Sequence, residues 1–405
     1  MHKVCTEHLQ PEMILAKDIP GFDGSVLLPK GHALAEKDID LIQELDTGYV
    51  FINSMGPNQD KEDLLRRCDE YVFNFFLYVN PESELFNELY RISLQNTFSV
   101  THADWNLPCS KELRAKNVEH MRDLFFKGQG NPEDIVDHET SLVSFPDIYF
   151  RIKEILADDT SSAEDIARVV SNDVGLSAKL LQLVNSPFYG FSTKIDSISR
   201  AISLVGAKEL STLALGISAV NFFKDIPPEL IDMRTFWKHS ISCAIFSKLI
   251  ASEAGMSAEK FFSAGLLHDA GRLIIFKNMP YASVQALLEA RTNTIPLVEA
   301  EEAILGFNHA QVGQKLFETW QMPDQLTDII ANHHTPANAA DPKNAAIVQL
   351  ADNMANAAAI SDGGKFILPG MQDEDWEKIG LPLKKLGKLY SIHNQNIESV
   401  LSAFI

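Results

Sequence analysis

The chain is poor in cysteine, and none of its cysteines lies near another. The four are Cys5, Cys68, Cys109 and Cys243, and no two of them form a CxxC pair. Such wide spacing excludes a disulfide-stapled secreted domain and is typical of a protein from a reducing compartment.

Basic residues are also scarce relative to acidic ones. Thirty-five Lys and Arg stand against fifty-five Asp and Glu, which gives a net charge of −20. This balance argues against sequence-independent nucleic-acid binding and against docking on anionic membranes, since both need a basic face. The most apolar stretch, Leu213–Phe223, is too short to cross a bilayer, and the first residues lack the apolar segment of a signal peptide. We therefore expect a cytoplasmic protein that binds neither nucleic acid nor membrane.

With 405 residues, 45% of them hydrophobic, the chain is long enough for two or three domains. The pattern predicts a mainly α protein with a small α+β module at residues 1–54. A helical connector follows at 55–140, then a helical domain at 141–360 and a helical tail at 361–405. No chemical motif occurs in the connector, which is compatible with a plain linker or with a homodimer contact.

The N-terminal module shows strand and helix signals in alternation. We predict strands at Met13–Ile19 and Val26–Pro29 around a turn at Gly21–Gly24, a helix at Ala35–Leu45 and a third strand at Tyr49–Ile52.

Seven residues that commonly bind metals occur on successive helices of the 141–360 domain, which we predict near 235–253, 258–276, 309–320, 323–334 and 343–360. They are His239, His268, Asp269, His309, His333, His334 and Asp352. At helical spacing, four of them, His239, His309, His333 and Asp352, lie on the apolar side of their helices, which should face the core. Burying two ionised carboxylates among imidazoles is costly unless a cation compensates, and a divalent metal does so. Seven ligands suit two ions that share a carboxylate, as in two-metal phosphoester hydrolysis.

Each of these residues taken alone has an ordinary interpretation. His239 could be a hydrogen-bonded core residue, and His309 could cap its helix. His333 and His334 could lie exposed at a helix C-terminus, and Asp352 could bind nearby backbone. The joint order of five histidines and two aspartates favours metal binding over these separate explanations.

The same order resembles the HD superfamily of metal-dependent phosphohydrolases, and residues 141–345 are more similar to its regulatory relative, the HDOD domain. The stretches that carry the resemblance are Ile166–Leu181, Val184–Gly190, Ile198–Gly206, Ala264–Gly271, His309–Trp320 and Ile330–Pro336. The first 54 residues look similar to the small module that often precedes HD-GYP and HDOD domains. The resemblance implies an all-helical domain in a bacterial regulatory protein.

The resemblance also implies roles for individual residues. One metal would be bound by His239, His268, Asp269 and Asp352, and Asp269 would bridge to a second metal bound by His309, His333 and His334. A water between the ions would be the nucleophile, and Arg272 stands where HD-GYP enzymes usually carry a phosphate-binding lysine. Asp269 and Arg272 are thus the candidate catalytic residues. Nitrogen and oxygen ligands favour iron or manganese, with zinc as an alternative.

Two departures from the HD-GYP pattern bear on activity. The Gly-Tyr-Pro segment expected after the double histidine is missing, and Thr235 stands where some of these enzymes carry an extra acidic ligand. We expect two metals rather than three. The first functional hypothesis is an HDOD-type signal-transduction protein that contacts a protein partner through its 141–230 helices. The alternative is an active phosphohydrolase on a nucleotide or cyclic dinucleotide, and the third is a helical scaffold with incidental histidines.

Overall fold

The computed structural model describes the larger part of the chain. The described residues are 2–6, 9–21, 25–45, 49–54, 61–73, 75–76, 79–104, 131–133, 136, 150–152, 154–155, 162–223, 231–359 and 367–405. They divide into two compact units. The first comprises Met1–Leu77, Phe86–Arg114 and Asn356–Leu368, and the second comprises Tyr78–Leu85, Ala115–Ala355 and Pro369–Ile405. The boundaries predicted at 54, 140 and 360 stay predictions.

The first unit begins with five short strands. These are β1 (His2–Cys5), β2 (Ile14–Leu15), β3 (Ile19–Pro20), β4 (Val26–Leu28) and β5 (Tyr49–Ser54). The strands β1, β5 and β2 form an antiparallel sheet in that order, and β3 pairs with β4.

Helix α1 (Glu36–Glu44) lies between β4 and β5, as the sequence predicts. Its Ile39 and Ile42 pack into a small core with the buried side chains Val4, Leu15 and Ile52. Two details differ from the expectation. The strand β1 is not predicted by the sequence, and the segment predicted as one strand at 13–19 is divided between β2 and β3. Residues 22–24 of the predicted turn lie outside the described residues, so the turn stays a prediction.

Helices make up almost all of the remaining described chain. Before the predicted ligands they are α2 (Lys61–Phe73), α3 (Glu84–Asp104), α4 (Ala163–Ser171), α5 (Val174–Val184), α6 (Ile198–Val205) and α7 (Ala207–Phe222). From the first predicted ligand onward they are α8 (Met233–Glu253), α9 (Glu259–Leu267), α10 (Ala270–Asn278), α11 (Pro280–Thr292), α12 (Leu297–Leu305), α13 (His309–Thr319), α14 (Asp324–Ala331), α15 (Pro342–Ala359), α16 (Asp373–Ile379) and α17 (Leu386–Phe404). The mainly α fold class is confirmed.

Short polar side chains set the starts of several of these helices. Asp173 accepts a hydrogen bond from the backbone N–H of Leu176, and Asp232 accepts one from that of Thr235. Asn308 accepts from two N–H groups of the first turn of α13. These bonds satisfy donors that have no partner within the helix, so each cap fixes the residue at which its helix begins.

The helix α8 is central to the second unit. It packs against α9 and against the C-terminal helix α17, and α10 packs against α13. Tyr390 of α17 donates a hydrogen bond to the carbonyl of Met354, and His393 lies 2.8 Å from the Ser242 hydroxyl of α8. The tail predicted from the sequence thus supplies one wall of the helical core.

Among the described residues, no single helix has both the length and the apolar character needed to cross a membrane. The bent pair formed by α6 and α7 meets those criteria only when its two helices are taken together.

Candidate metal centre

The structure brings all seven predicted ligands to one place in the second unit. His239 comes from the first half of α8, and Asp352 comes from the middle of α15. His309 is the first residue of α13. The remaining four lie in breaks between helices: His268 and Asp269 between α9 and α10, and His333 and His334 in the turn after α14.

The His268–Asp269 pair differs from the expectation of one continuous helix over 258–276. The backbone of Asp269 has φ −95° and ψ 7°, which ends α9 and starts α10 in a new direction. This break turns both neighbouring side chains toward the same point. In the same way, α14 ends at Ala331 rather than at His334, which frees the two histidines from the helical spacing.

The first half of the centre is formed by two imidazoles and two carboxylates. The Nε2 atoms of His239 and His268 lie 3.4 Å apart. The Nε2 of His239 lies 3.2 Å from the Oδ1 of Asp352, and the Nε2 of His268 lies 3.6 Å from the Oδ2 of Asp269.

The second half is formed by three imidazoles and the other oxygen of Asp269. The Nε2 of His309 lies 3.2 Å from Oδ1 of Asp269 and 2.9 Å from the Nε2 of His334. The donor atoms of His309, His333 and His334 all lie within 4.8 Å of one another. Each oxygen of Asp269 therefore faces a different half, which is the placement required of a bridging carboxylate.

These separations fit donors around metal ions. Two ligands at about 2.0–2.1 Å from one ion are about 3.0 Å apart at a right angle and about 3.4 Å apart at a tetrahedral angle. The distances fall in this range: 3.2 Å for His239–Asp352, 3.4 Å for His239–His268 and 3.2 Å for His309–Asp269. Two Nε2 atoms at the His309–His334 distance hold either a proton or a cation between them.

The orientation of the rings supports the same conclusion. His268 Nδ1 donates to the carbonyl of Gly265 and His333 Nδ1 donates to that of Ile330, each at 2.7 Å. Because carbonyls only accept, Nδ1 of each ring carries a proton, and Nε2 is the atom that faces the centre. His333 Nε2 is completely buried and has no hydrogen-bond partner within the described chain. A buried acceptor of this kind is expected where a metal binds.

The two carboxylates are ionised despite their burial. Burial alone would raise the pKa of Asp269, but Arg272 and then His268 and His309 hold it well below its usual range. Burial would also raise the pKa of Asp352, and hydrogen bonds from His239 and His268 outweigh that effect. The centre thus carries two negative charges in a water-poor environment, which favours cation binding.

The double histidine is neutral. Burial, followed by repulsion from the nearby imidazoles His268 and His309, lowers the pKa of His333 to about 3. Burial and the neighbouring His333 and His309 also hold the pKa of His334 well below its usual value. Neutral imidazole is the form that binds a metal, so both side chains are ready for coordination at neutral pH.

Arg272 lies inside the centre rather than at a surface. Its guanidinium donates to Oδ2 of Asp269, and its side chain is 7% exposed. The predicted phosphate-binding role stays a prediction. In that role the guanidinium would have to donate hydrogen bonds to Asp269 and to a phosphate at the same time.

Glu301 is a residue of this site that the sequence did not single out. Its Oε2 accepts from the backbone N–H of His309 at 2.9 Å and from His309 Nδ1 at 2.5 Å. The hydrogen-bonded pair of Glu301 and His309 is the kind of carboxylate–histidine contact that orients metal ligands in many proteins. Glu299, Glu301 and Glu302 all lie on α12, and only the fold shows which of them faces inward.

A cavity of about 700 Å³ opens beside His334. Its lining includes the amides of Asn80, Asn338 and Gln349 and the carboxylates of Asp373, Glu374 and Asp375. Among the described residues that line it, none is Lys or Arg. The cavity is therefore polar and acidic next to the metal ligands.

Comparison with known proteins identifies the domain. Residues 142–336 match the sequence profile of the HDOD domain, so this part of the chain is an HDOD domain. An HDOD domain protein of unknown function from Geobacter sulfurreducens has a solved structure similar to it, with a TM-score of 0.53 and 26% identity, covering 67% of this chain and 97% of that one. A proposed phosphohydrolase from Shewanella amazonensis SB2B shares the fold with a TM-score of 0.53 and 22% identity, covering 66% and 99%.

Curated relatives are more distant. The chain is 24% identical over 202 residues to an uncharacterized protein of Treponema pallidum, which covers 49% of this chain and 39% of that protein. It is also 24% identical over 204 residues to Ribonuclease Y of Mycoplasma mycoides, which covers 50% and 34%. The chain thus spans about two-fifths or less of the length of the curated relatives that it matches.

Proposed function

We propose that this chain is a signal-transduction protein of the HDOD type. We also propose that its HD-type centre binds two divalent transition-metal ions. The observation that carries the proposal is the grouping of six potential ligands around Asp269, with the unpartnered Nε2 of the buried His333 among them. Iron or manganese suits this mixed nitrogen and oxygen set, and zinc is an alternative.

The surroundings of the centre favour regulation over phosphoester hydrolysis. The cavity beside His334 presents carboxylates where a phosphate substrate would need cations. Arg272 donates to Asp269 and is not among the residues that line that cavity. A multiply charged phosphoester therefore meets electrostatic repulsion on this approach.

The signal would pass to a protein partner through the helices of the 141–230 region, of which 162–223 is described. That part of the chain exposes several large apolar side chains. Val174 is 80% exposed, Leu204 41% and Phe191 37%. Exposed apolar groups in one region support a contact surface. We place the protein in the cytoplasm on the basis of its cysteine usage.

A metal-dependent phosphohydrolase is the second candidate, favoured by the complete ligand set and by the hydrolase names of two relatives. Two bound ions supply Lewis acidity and an activated water. In this case Asp269 would position both ions, and Arg272 would turn from Asp269 toward the phosphate.

Metal content tests the proposal directly. Purified protein, with its metals measured by inductively coupled plasma mass spectrometry, should contain close to two equivalents. The variants His268→Ala and Asp269→Ala should lose most of this metal, whereas His32→Ala, a histidine outside the centre, should retain it. Metal-free wild-type protein after growth with iron and manganese would refute the proposal. Turnover of any phosphoester that is lost in Asp269→Ala would establish the second candidate instead.

A further inference from the structure

The two halves of the centre differ in the groups that stand behind their ligands. Behind His309 lies the carboxylate of Glu301, which is 3% exposed and accepts two hydrogen bonds from that residue. Behind Oδ2 of Asp269 lies the guanidinium of Arg272, which donates to it. A ligand of one half is thus bonded to a carboxylate and a ligand of the other half to a guanidinium. The guanidinium also lies within electrostatic reach of Glu301, but its hydrogen bond goes to Asp269.

The Glu301 contact strengthens the half that contains His309, His333 and His334. A carboxylate that accepts the Nδ1 proton increases the electron density at Nε2, so the imidazole becomes a better ligand. The same contact fixes the ring orientation, because the backbone N–H of His309 binds the same oxygen. The rings of His309 and His333 are therefore oriented before any ion arrives.

The Arg272 contact weakens the half that contains His239, His268 and Asp352. Two carboxylates face this half, and the guanidinium compensates one of their charges. It also occupies a lone pair of Oδ2, the oxygen of Asp269 that faces this half. A cation that binds here must share that oxygen with a positive charge a few ångströms away.

We propose that Glu301 and Arg272 make the two halves unequal, so that the first ion binds at His309, His333 and His334 and the second binds at His239, His268 and Asp352 with lower affinity. This inference rests on the proposed metal centre. Both residues are positioning residues, since they act through a ligand. Arg272 then sets the free metal concentration at which the second ion binds.

Titration of chelator-treated protein with Mn²⁺ tests the order of binding. Calorimetry should resolve two steps whose dissociation constants differ about 10-fold or more. Electron paramagnetic resonance should show an isolated Mn²⁺ signal at one equivalent and a spin-coupled signal only when the second equivalent is added. This spectroscopic change would not follow from a general loss of stability.

Two substitutions assign the steps. Glu301→Gln keeps the shape and an acceptor but removes the charge, and it should weaken the first step about 10-fold with little effect on the second. Its control is Glu302→Gln, the exposed neighbour that contacts Asn308. Arg272→Met should tighten the second step about 10-fold, so that the spin-coupled signal begins below one equivalent. Its control is Arg168→Met, which removes an exposed pair of the same i,i+3 spacing.

If Arg272→Met does not fold, Arg272→Gln retains a donor for Asp269 without the charge and should tighten the second step in the same direction. Two equal steps in the wild type would overturn the inference and leave the proposed centre intact. An effect of Glu301→Gln that is equal on both steps would also overturn it. Absence of Mn²⁺ binding in the wild type would overturn the centre itself.

Discussion

Replacement of Gly271 by alanine should disassemble the centre although it substitutes none of the candidate ligands. Gly271 lies in the first turn of α10, where that helix crosses α13. A Cβ atom at this position would lie 2.0 Å from the carbonyl oxygen of His309 and 2.6 Å from the backbone nitrogen of Gly313. Both neighbours are backbone atoms, so no side-chain rotation relieves the contact.

The size of the effect follows from these distances. Ordinary contact for a Cβ begins at 3.4 Å, so the two helices must separate by about 1.4 Å at this point. His309 is 3.2 Å from Oδ1 of Asp269, and a displacement of that size removes it from the common coordination sphere. Overpacking of a core typically costs about 1–3 kcal/mol, and the lost ion adds its own binding free energy.

Three glycine variants form a graded series for this test. Gly271→Ala should lose at least one equivalent of metal, and its Tm should fall by several degrees. Gly313→Ala meets only the Cγ2 of Ile330 at 3.1 Å and should be intermediate. Gly387→Ala, in α17, meets nothing within 4 Å and should keep its metal with equal or higher Tm. Wild-type metal content and Tm in Gly271→Ala would refute the argument that this helix crossing positions His309.

Two further predictions concern stability. Below about pH 6.5 the unfolded chain binds a proton at His333, whereas burial keeps this imidazole neutral in the folded state down to about pH 3. Metal-free protein should therefore lose about 2 kcal/mol from this residue between pH 7 and pH 5. His268 offsets part of this loss, because, against the lowering effect of burial, Cys243 and then Asp269 raise its pKa. Chemical denaturation at the two pH values measures the loss, and equal stability would contradict it. Asn353 is buried, and its amide binds both the N–H and the carbonyl of Gly370 at 3.2 and 3.1 Å. Asn353→Ala should cost about 2 kcal/mol or more, since it leaves two buried backbone groups unpaired, and its calorimetric Tm should fall well below that of the exposed control Gln395→Ala.

The helical periodicity of the sequence is sufficient to predict the fold class and the helical positions of two of the seven candidate ligands. The apolar stripes placed His239 on α8 and Asp352 on α15 correctly, because these ligands lie within regular helices. The order of histidines and aspartates along the chain then indicated one centre, and the structure brings those residues together.

Other features depend on contacts that no local pattern carries. The helix breaks at Asp269 although neither adjacent residue is glycine or proline, and α9 and α10 pack on different neighbours. The inward orientation of Glu301 depends on the partner that it meets, eight residues later, at His309. Arg272 pairs with Asp269 three residues earlier. The sequence spacing alone does not predict this pair, because an arginine at that position could equally face solvent.

The positions of the ligands show why two ions would suit a signalling role. The candidate ligands come from α8, from the α9–α10 break, from α13, from the turn after α14 and from α15, so bound metal would hold five parts of the second unit in one arrangement. To shift a two-state equilibrium from 1:99 to 99:1 takes about 5.5 kcal/mol. One ion present at a hundred times its dissociation constant supplies about 2.7 kcal/mol if only one state binds it. A single ion is therefore insufficient, whereas two ions at that excess complete the shift. If Arg272 weakens the second half, the switch is completed only when that weaker half fills, and the metal concentration at which this happens is set by one ion pair, Arg272–Asp269.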